Sequence, residues 1–168
     1  LASAFMMCLQ YLKVLVLPHP LVCDMGYPQM KAVTFADWRA LAGLAAFGAM
    51  AAYGFYKLRA KDVLAWAMLF FLAAFSLYSN IFYLIGTCYG ERLLYLPSLG
   101  FCLAVACVLY RLVRPDETEG RNRLFWALCG AIGCLYGAQT LARNPDWKND
   151  LTLFSKDINT SPNSAHMN

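Results

Sequence analysis

Apolar and polar stretches alternate along the chain in blocks that are typical of a helical bundle embedded in a membrane. The apolar blocks lie at about 1–17, 38–56, 63–86, 94–113 and 124–142. Residues 63–86 carry no charge, and a helix needs roughly 20 apolar residues to cross a bilayer. We therefore predict an all-α fold, a polytopic membrane helical bundle over residues 1–142 with spans at these positions.

Local signals add detail to several of these helices. Asp37 precedes the second block and is predicted to cap the first turn of its helix. Ser76, Ser79 and Asn80 are expected to face neighbouring helices, where their hydrogen bonds can be satisfied. The last block contains small residues at helical spacing, which favour close packing against another helix: Gly130, Gly133 and Gly137.

The composition agrees with a bundle that is solvated by lipid. Hydrophobic residues make up 60% of the chain, charged residues make up 14%, and the mean hydropathy is +0.47. A conventional soluble core is the weaker interpretation. Gln10 and Lys13 interrupt the first block, so its helix can either span the bilayer or lie obliquely at the surface, and the sequence leaves both arrangements open.

The net charge of +4 is read as a signal of membrane topology. The basic residues are dispersed among short loops rather than forming a stripe, so we expect no nucleic-acid partner. Two connections carry most of them and are predicted to share the cytoplasmic side: Lys57, Arg59 and Lys61 in one, and Arg111, Arg114, Arg121 and Arg123 in or beside the other. The outer face then receives residues 18–39, residues 87–93 and the tail from Arg143 onward.

Groups that can do chemistry collect on this predicted outer face. A charge at the mouth of a span is costly unless it pairs or meets water, which makes Glu91 and Arg92 a candidate site. Arginine also suits an anionic phosphate, and Arg143 stands at the end of the last span. His19 lies between two prolines, which hold it in an extended setting. The alternative for the charged pair is an ordinary interfacial ion pair or a snorkelling arginine.

Other reactive residues have simpler interpretations. Asp24 suits a turn before Gly26, and most cysteines lie in apolar blocks as small packing residues. A bridge between Cys23 and Cys88 stays open, because both fall in loops predicted on one face. The sequence has neither a glycine-rich phosphate loop nor paired metal ligands, so we expect no metal or cofactor in this segment.

Three motifs, in this order between apolar blocks, resemble the transmembrane and tetratricopeptide-repeat protein family. They read PHPLVCD, GERLLYLPSLGFC and ARNPDWKNDLTLFSKDINTSPNSAHMN, and the match is close in style to bacterial members. The resemblance implies that residues 143–168 are an outer-face linker and the start of the first helical repeat. A repeat array needs several stacked helix pairs to bury its core, so the array is expected beyond residue 168.

The resemblance implies a glycosyltransferase of the GT-C class. Such enzymes transfer mannose from a lipid-phosphate sugar to Ser or Thr of proteins, here with a polyprenyl-phosphate sugar as donor and an acceptor protein presented by the repeats. A bacterial member would sit in the inner membrane with its repeats in the periplasm, and a eukaryotic member in the endoplasmic reticulum. The resemblance also implies a catalytic acidic residue in an outer loop upstream of Leu1, so we assign no catalytic residue here.

The chain has no initiator methionine and opens inside an apolar run, so we expect it to be an internal segment that is inactive alone. Within it, Glu91, Arg92, Tyr95, Arg143 and His19 are predicted to bind the lipid-linked phosphate. The main alternative is a non-catalytic membrane scaffold whose repeats bind envelope proteins. A transporter is weaker, because the spans carry few intramembrane charges.

Overall fold

The computed structural model describes residues 2–18, 33–81 and 89–149 together with Thr152. In these ranges the chain forms five α-helices and no strand. They are α1 (Ala2–Val16), α2 (Trp38–Leu58), α3 (Val63–Ser76), α4 (Tyr95–Val113) and α5 (Glu119–Arg143). Short 3-10 helices at Glu91–Leu94 and Asn144–Lys148 precede α4 and follow α5. The all-α prediction is confirmed.

Three helical segments are long and apolar enough to cross a membrane. They are Trp38–Leu58 with 21 residues, Glu91–Val113 with 23 and Glu119–Lys148 with 30. The helices at Ala2–Val16 and Val63–Ser76 are apolar but shorter. These segments, by length and composition, identify the chain as a membrane protein.

The predicted span at 63–86 differs from the observed helix, because α3 ends at Ser76. Its serines bond to the nearby backbone instead of to other helices: Ser76 donates to the Ala73 carbonyl, and Ser79 donates to the Ser76 carbonyl and accepts from the Ile81 amide. Such local bonds compete with helical ones, and Asn80 adopts a left-handed conformation with φ of 54°. Residues 82–86 lie outside the described ranges.

Helices α1, α2, α3 and α4 form the packed part of the bundle. Gly100 of α4 permits close approach to α3, since a Cβ at this position would lie 2.9 Å from the Ala67 carbonyl oxygen. The Phe47 ring of α2 lies tilted against Phe71 and Phe75 of α3, with centroids 6.0 and 5.3 Å away, and the two α3 rings stack on each other. The main apolar core comprises the following buried residues: Met7, Cys8, Tyr11, Val14, Leu15, Phe71, Phe75, Tyr89 and Leu94.

Helix α1 begins beside the start of α2 and ends against α5. Its Phe5 carbonyl lies directly against Gly43, and the rings of Phe5 and Phe35 are 6.4 Å apart. At its other end the Tyr136 hydroxyl donates to the carbonyls of Leu15 and Val16. Most of its buried side chains contribute to the core, so α1 connects the two sides of the bundle.

Helix α5 is the least packed element, and none of its residues is buried. A Cβ added at Gly130, Gly133 or Gly137 would meet no atom within 4 Å among the described parts of the chain. The predicted close packing of these glycines is therefore not made within the described residues.

Candidate functional site

The two basic connections come together at one end of the bundle, which we call the basic end. Here Arg111 of α4 contacts the Asp62 carboxylate and the Tyr53 hydroxyl, the latter at 3.1 Å. Asp62 also caps α3 by accepting from the Leu64 amide at 2.8 Å. The prediction that the two turns share a side agrees with this contact. The assignment of that side to the cytoplasm stays a prediction.

The opposite end holds a mostly buried ionic cluster, which we call the Arg143 cluster. Arg143 at the end of α5 donates to Glu91 Oε1 from Nε at 3.4 Å and from Nη2 at 3.3 Å. Its Nη1 donates to Asp146 Oδ2 at 3.1 Å. All three side chains are only 12–14% exposed. Because buried ions of this kind need partners, the cluster fixes the end of α5 to the start of α4.

Arg92 and Tyr95 lie beside this cluster and differ from it in exposure. Arg92 is exposed and has no ion pair or hydrogen bond with the described residues, and the Tyr95 side chain is 87% exposed. Both line a pocket of about 450 Å³ with Glu91, Arg143 and Trp147. The structure thus brings four predicted residues together, with one arginine fully neutralised and the other open to solvent.

The backbone before Glu91 is held by aromatic packing. The Gly90 amide donates to the buried Tyr11 hydroxyl at 3.0 Å, and the Tyr11 ring stacks on Tyr89 with centroids 4.6 Å apart. Phe75 meets the same Tyr11 ring edge-on at 5.1 Å. The core therefore sets the position from which Glu91 and Arg92 project.

Tyr89 is fully buried, and within the described ranges its hydroxyl has no hydrogen-bond partner. Burial, and to a smaller extent the nearby charge of Glu91, raises the pKa of Tyr89 to about 12. The phenol therefore stays neutral at physiological pH. It adds no charge to the candidate site.

Two contributors to this end were not predicted from the sequence. Asp146 is not among the predicted site residues, but it is the second carboxylate on Arg143. The spacing of three residues between an arginine and an aspartate was the available signal. Tyr136 lines the pocket while tying α5 to α1, and no local pattern indicates a contact across 121 positions.

Other predicted residues fall outside the described ranges. These are His19, Asp24, Cys23 and Cys88. The structure therefore adds nothing to the His19 prediction or to the possible bridge. Within the part of the chain that is described, no group of three or more His, Cys, Asp or Glu side chains is arranged to hold a metal ion.

Comparison with known proteins gives a consistent set of relatives. The Mus musculus protein O-mannosyl-transferase TMTC3 is 31% identical over 156 residues, which cover 89% of the chain and 16% of the relative. The chain is a relative of the TMTC proteins. The Xenopus laevis protein O-mannosyl-transferase tmtc2 is 35% identical over 108 residues, covering 62% of the chain and 13% of the relative. No family model and no solved structure matches the chain.

A third TMTC relative extends the range of organisms. The Drosophila melanogaster protein O-mannosyl-transferase Tmtc1 is 36% identical over 89 residues, which are 52% of the chain and 10% of the relative. The chain therefore spans 10–16% of the length of these three relatives. The family resemblance predicted from the three motifs is confirmed. The bacterial assignment and the helical repeats stay predictions.

Proposed function

We propose that the chain is part of an integral-membrane glycosyltransferase that moves a mannose-like sugar from a polyprenyl-phosphate carrier to Ser or Thr of a protein on the outer or lumenal face. The observation that carries this proposal is its relationship to the TMTC protein O-mannosyl-transferases over 89% of its length in one case. The pocket beside the Arg143 cluster supports it, because arginine and tyrosine side chains there suit a phosphate at the end of the membrane helices.

In the proposed reaction, the bond between the sugar C1 and the carrier phosphate oxygen breaks as C1 bonds to the acceptor hydroxyl oxygen. The acceptor proton passes to a base that we assign upstream of Leu1. The departing carrier phosphate gains negative charge. A positive group fixed in advance beside this phosphate lowers the barrier, since it is stabilising mainly where the charge develops.

Arg92 and Arg143 are proposed to have different roles in stabilising the negative charge on the departing phosphate. Arg92 is exposed and carries no carboxylate partner among the described residues, so it is the proposed direct phosphate contact. Arg143 is already held by Glu91 and Asp146, so it is proposed to position Glu91 and the neighbouring backbone. Its own contact with phosphate would require it to release a carboxylate. Tyr95 is proposed to orient the phosphate from the pocket rim, and His19 remains a candidate donor.

The test is transfer of labelled sugar from a polyprenyl-phosphate donor to protein, in membranes that carry the full-length protein. An Arg92→Ala variant is expected to lose transfer while its insertion and expression are unchanged. Arg59→Ala is the matched control, because Arg59 is also an exposed arginine near a helix end but lies at the basic end. Its activity should equal that of the wild type.

Each pattern of activity has a distinct meaning. Transfer in the wild type and in Arg92→Ala alike would keep the enzyme and remove Arg92 from the phosphate site. Absence of transfer in all forms, across several donor sugars, would instead favour the non-catalytic scaffold. Loss in both arginine variants would point to a general effect of charge on insertion.

A further inference from the structure

A second pocket, of about 670 Å³, opens at the basic end between the α2–α3 turn and the α4–α5 pair. One part of its wall is polar and carries Lys57, Lys61, Asp62 and Arg111. The rest is mostly apolar and comes from α3, α4 and α5: Val63, Ala106, Cys107 and Phe125. It shares no lining residue with the pocket beside the Arg143 cluster.

The carboxylate in this pocket is already fully engaged. Asp62 accepts from the Tyr53 hydroxyl at 2.9 Å and the Leu64 amide at 2.8 Å, and it pairs with Arg111. One negative charge therefore balances one arginine. The charge left over in the pocket comes from the two lysines.

Neither Lys57 nor Lys61 forms an ion pair with a carboxylate within the described ranges. The Lys57 ammonium lies 5.2 Å from the centre of the Tyr56 ring, and Lys61 is exposed. Elsewhere at this end, Arg114 and Arg121 share Glu117, and Arg123 pairs with Glu119. The pocket consequently presents an uncompensated positive charge to whatever enters it.

The combination of this charge with an apolar wall selects the kind of ligand. A small soluble anion would satisfy the lysines but leave the apolar side chains of α4 and α5 in water. An anionic lipid can place its phosphate beside the lysines and its glycerol and acyl carbons along the helices. Basic pockets between membrane helices bind lipid headgroups in this manner.

We infer that the pocket at the basic end binds the phosphate of an anionic membrane lipid, with Lys57 and Lys61 as its contacts. The Asp62–Arg111 pair forms the polar floor, and Phe125 and Cys107 border the lipid carbons. This site is separate from the proposed transferase pocket and does not depend on which sugar, if any, is transferred.

The inference is tested by native mass spectrometry of the detergent-solubilised protein titrated with phosphatidylglycerol or phosphatidylcholine. Phosphatidylglycerol is expected to bind more tightly, because phosphatidylcholine carries a compensating positive charge. In Lys57→Gln/Lys61→Gln, phosphatidylglycerol should bind roughly 30-fold more weakly, about fivefold for each basic side chain lost. Binding of phosphatidylcholine should not change.

The control variant is Arg59→Gln/Arg123→Gln. It removes the same two positive charges from the basic end, but neither residue lines the pocket. Its phosphatidylglycerol affinity should remain within about twofold of the wild type. A specific pocket predicts this contrast between the arginine and lysine double variants. An equal loss in both double variants would overturn the site in favour of general surface charge.

Competition with inorganic phosphate distinguishes a site for a lipid phosphate from a site for a soluble phosphate. It is expected not to displace phosphatidylglycerol at matched concentration, because it cannot use the apolar wall. Displacement that depends on the two lysines would overturn the lipid assignment and identify a soluble phosphate site. If the double lysine variant does not fold, the exposed Lys61→Gln alone should weaken phosphatidylglycerol binding about fivefold, and an unchanged affinity would also overturn the inference.

Discussion

Arg143 and Glu91, which are 52 positions apart, join the end of the last long helix to the start of α4 through two hydrogen bonds of 3.3 and 3.4 Å. Asp146 shares the same guanidinium. Both carboxylates are largely shielded from water, and each has the arginine as an ion-pair partner, which lowers the cost of their burial. The ion pairs thus form a structural joint as well as a rim of the candidate site.

Replacing Arg143 with Gln should destabilise the protein by about 3 kcal/mol, because a buried ion pair that loses one partner leaves an unpaired charge. Arg123→Gln removes an arginine from an ion pair of 3.5 Å whose side chains are 84% and 91% exposed, and it should cost less than about 1 kcal/mol. Thermal unfolding of both variants in the same detergent measures the difference. Similar losses would show that shielding of the cluster contributes little.

Gly100→Ala should destabilise the packing of α3 against α4 by about 1–3 kcal/mol, since the added methyl group would press on the backbone of Ala67 and Phe71. Gly130→Ala should cause no loss, because its Cβ would meet no described atom within 4 Å. Unfolding midpoints of the two variants provide the comparison. A loss at Gly130 matching that at Gly100 would indicate that another surface covers this face of α5.

Tyr89→Phe should raise stability by about 1 kcal/mol, because it removes a buried hydroxyl that lacks a hydrogen-bond partner in the described structure. Tyr11→Phe, the matched change on the ring stacked against it, should instead lower stability, because the Gly90 amide loses its acceptor. Opposite signs in thermal unfolding are the expected result. Equal signs would contradict the hydrogen-bond assignment.

Ionisation of Tyr89 is expected to lower the stability of the protein at alkaline pH. Its pKa is raised from 10.0 to about 12, so the neutral phenol contributes stability that is fully present below pH 10 and is lost as the pH rises toward 12. The wild type should therefore lose more stability than Tyr89→Phe over this interval. Because Tyr89→Phe is expected to be the more stable protein already at neutral pH, the two unfolding midpoints should move further apart between pH 9 and 12, and parallel curves would refute the assignment.

Protonation of Asp62 is expected to lower the stability of the protein in acid. Desolvation favours its protonated form, but hydrogen bonds from Tyr53, the Leu64 amide and Arg111 outweigh it and hold the pKa of Asp62 below its ordinary value of 3.8. Its contribution to stability is therefore complete above about pH 4 and is lost as the pH falls through the lowered pKa. The free energy of unfolding of Asp62→Asn should approach that of the wild type in acid.

Asp37→Asn serves as the control for Asp62, because Asp37 also caps a helix, accepting from the Arg39 amide at 2.8 Å. Its change should cost less than that of Asp62, which additionally holds Tyr53 and Arg111. The comparison is made by chemical unfolding at neutral pH. Equal losses would mean that the contacts to α2 and α4 add nothing to the cap.

The sequence predicted those features that depend on neighbouring residues. The Asp37 cap is confirmed, because a carboxylate before an apolar helix bonds to amides only two or three positions away. The helical class followed from the long apolar blocks. The end of α3 at Ser76 was not predicted, because hydropathy remains high through residues 77–86 and does not register serine side chains bonding to the backbone.

The candidate site was predicted as a set of residues but not as a charge arrangement. Loop topology placed Glu91, Arg92, Tyr95 and Arg143 at one end of the bundle, and they line one pocket. Which arginine carries the carboxylates depends on packing between α4 and α5, and no local pattern encodes it. The same reason explains why the Asp62–Arg111 pair, separated by 49 positions, was missed.

The length of α5 has a mechanical consequence. Its apolar block, residues 124–142, extends about 28 Å at 1.5 Å per residue, which nearly matches a hydrocarbon layer of about 30 Å. In a thinner bilayer this block becomes too long and the helix tilts, and α5 has no buried residue to resist that rotation. Arg143 lies at the end of α5, whereas Glu91 lies at the start of α4. We therefore expect the thickness of the membrane to strain or relax the Arg143–Glu91 ion pair.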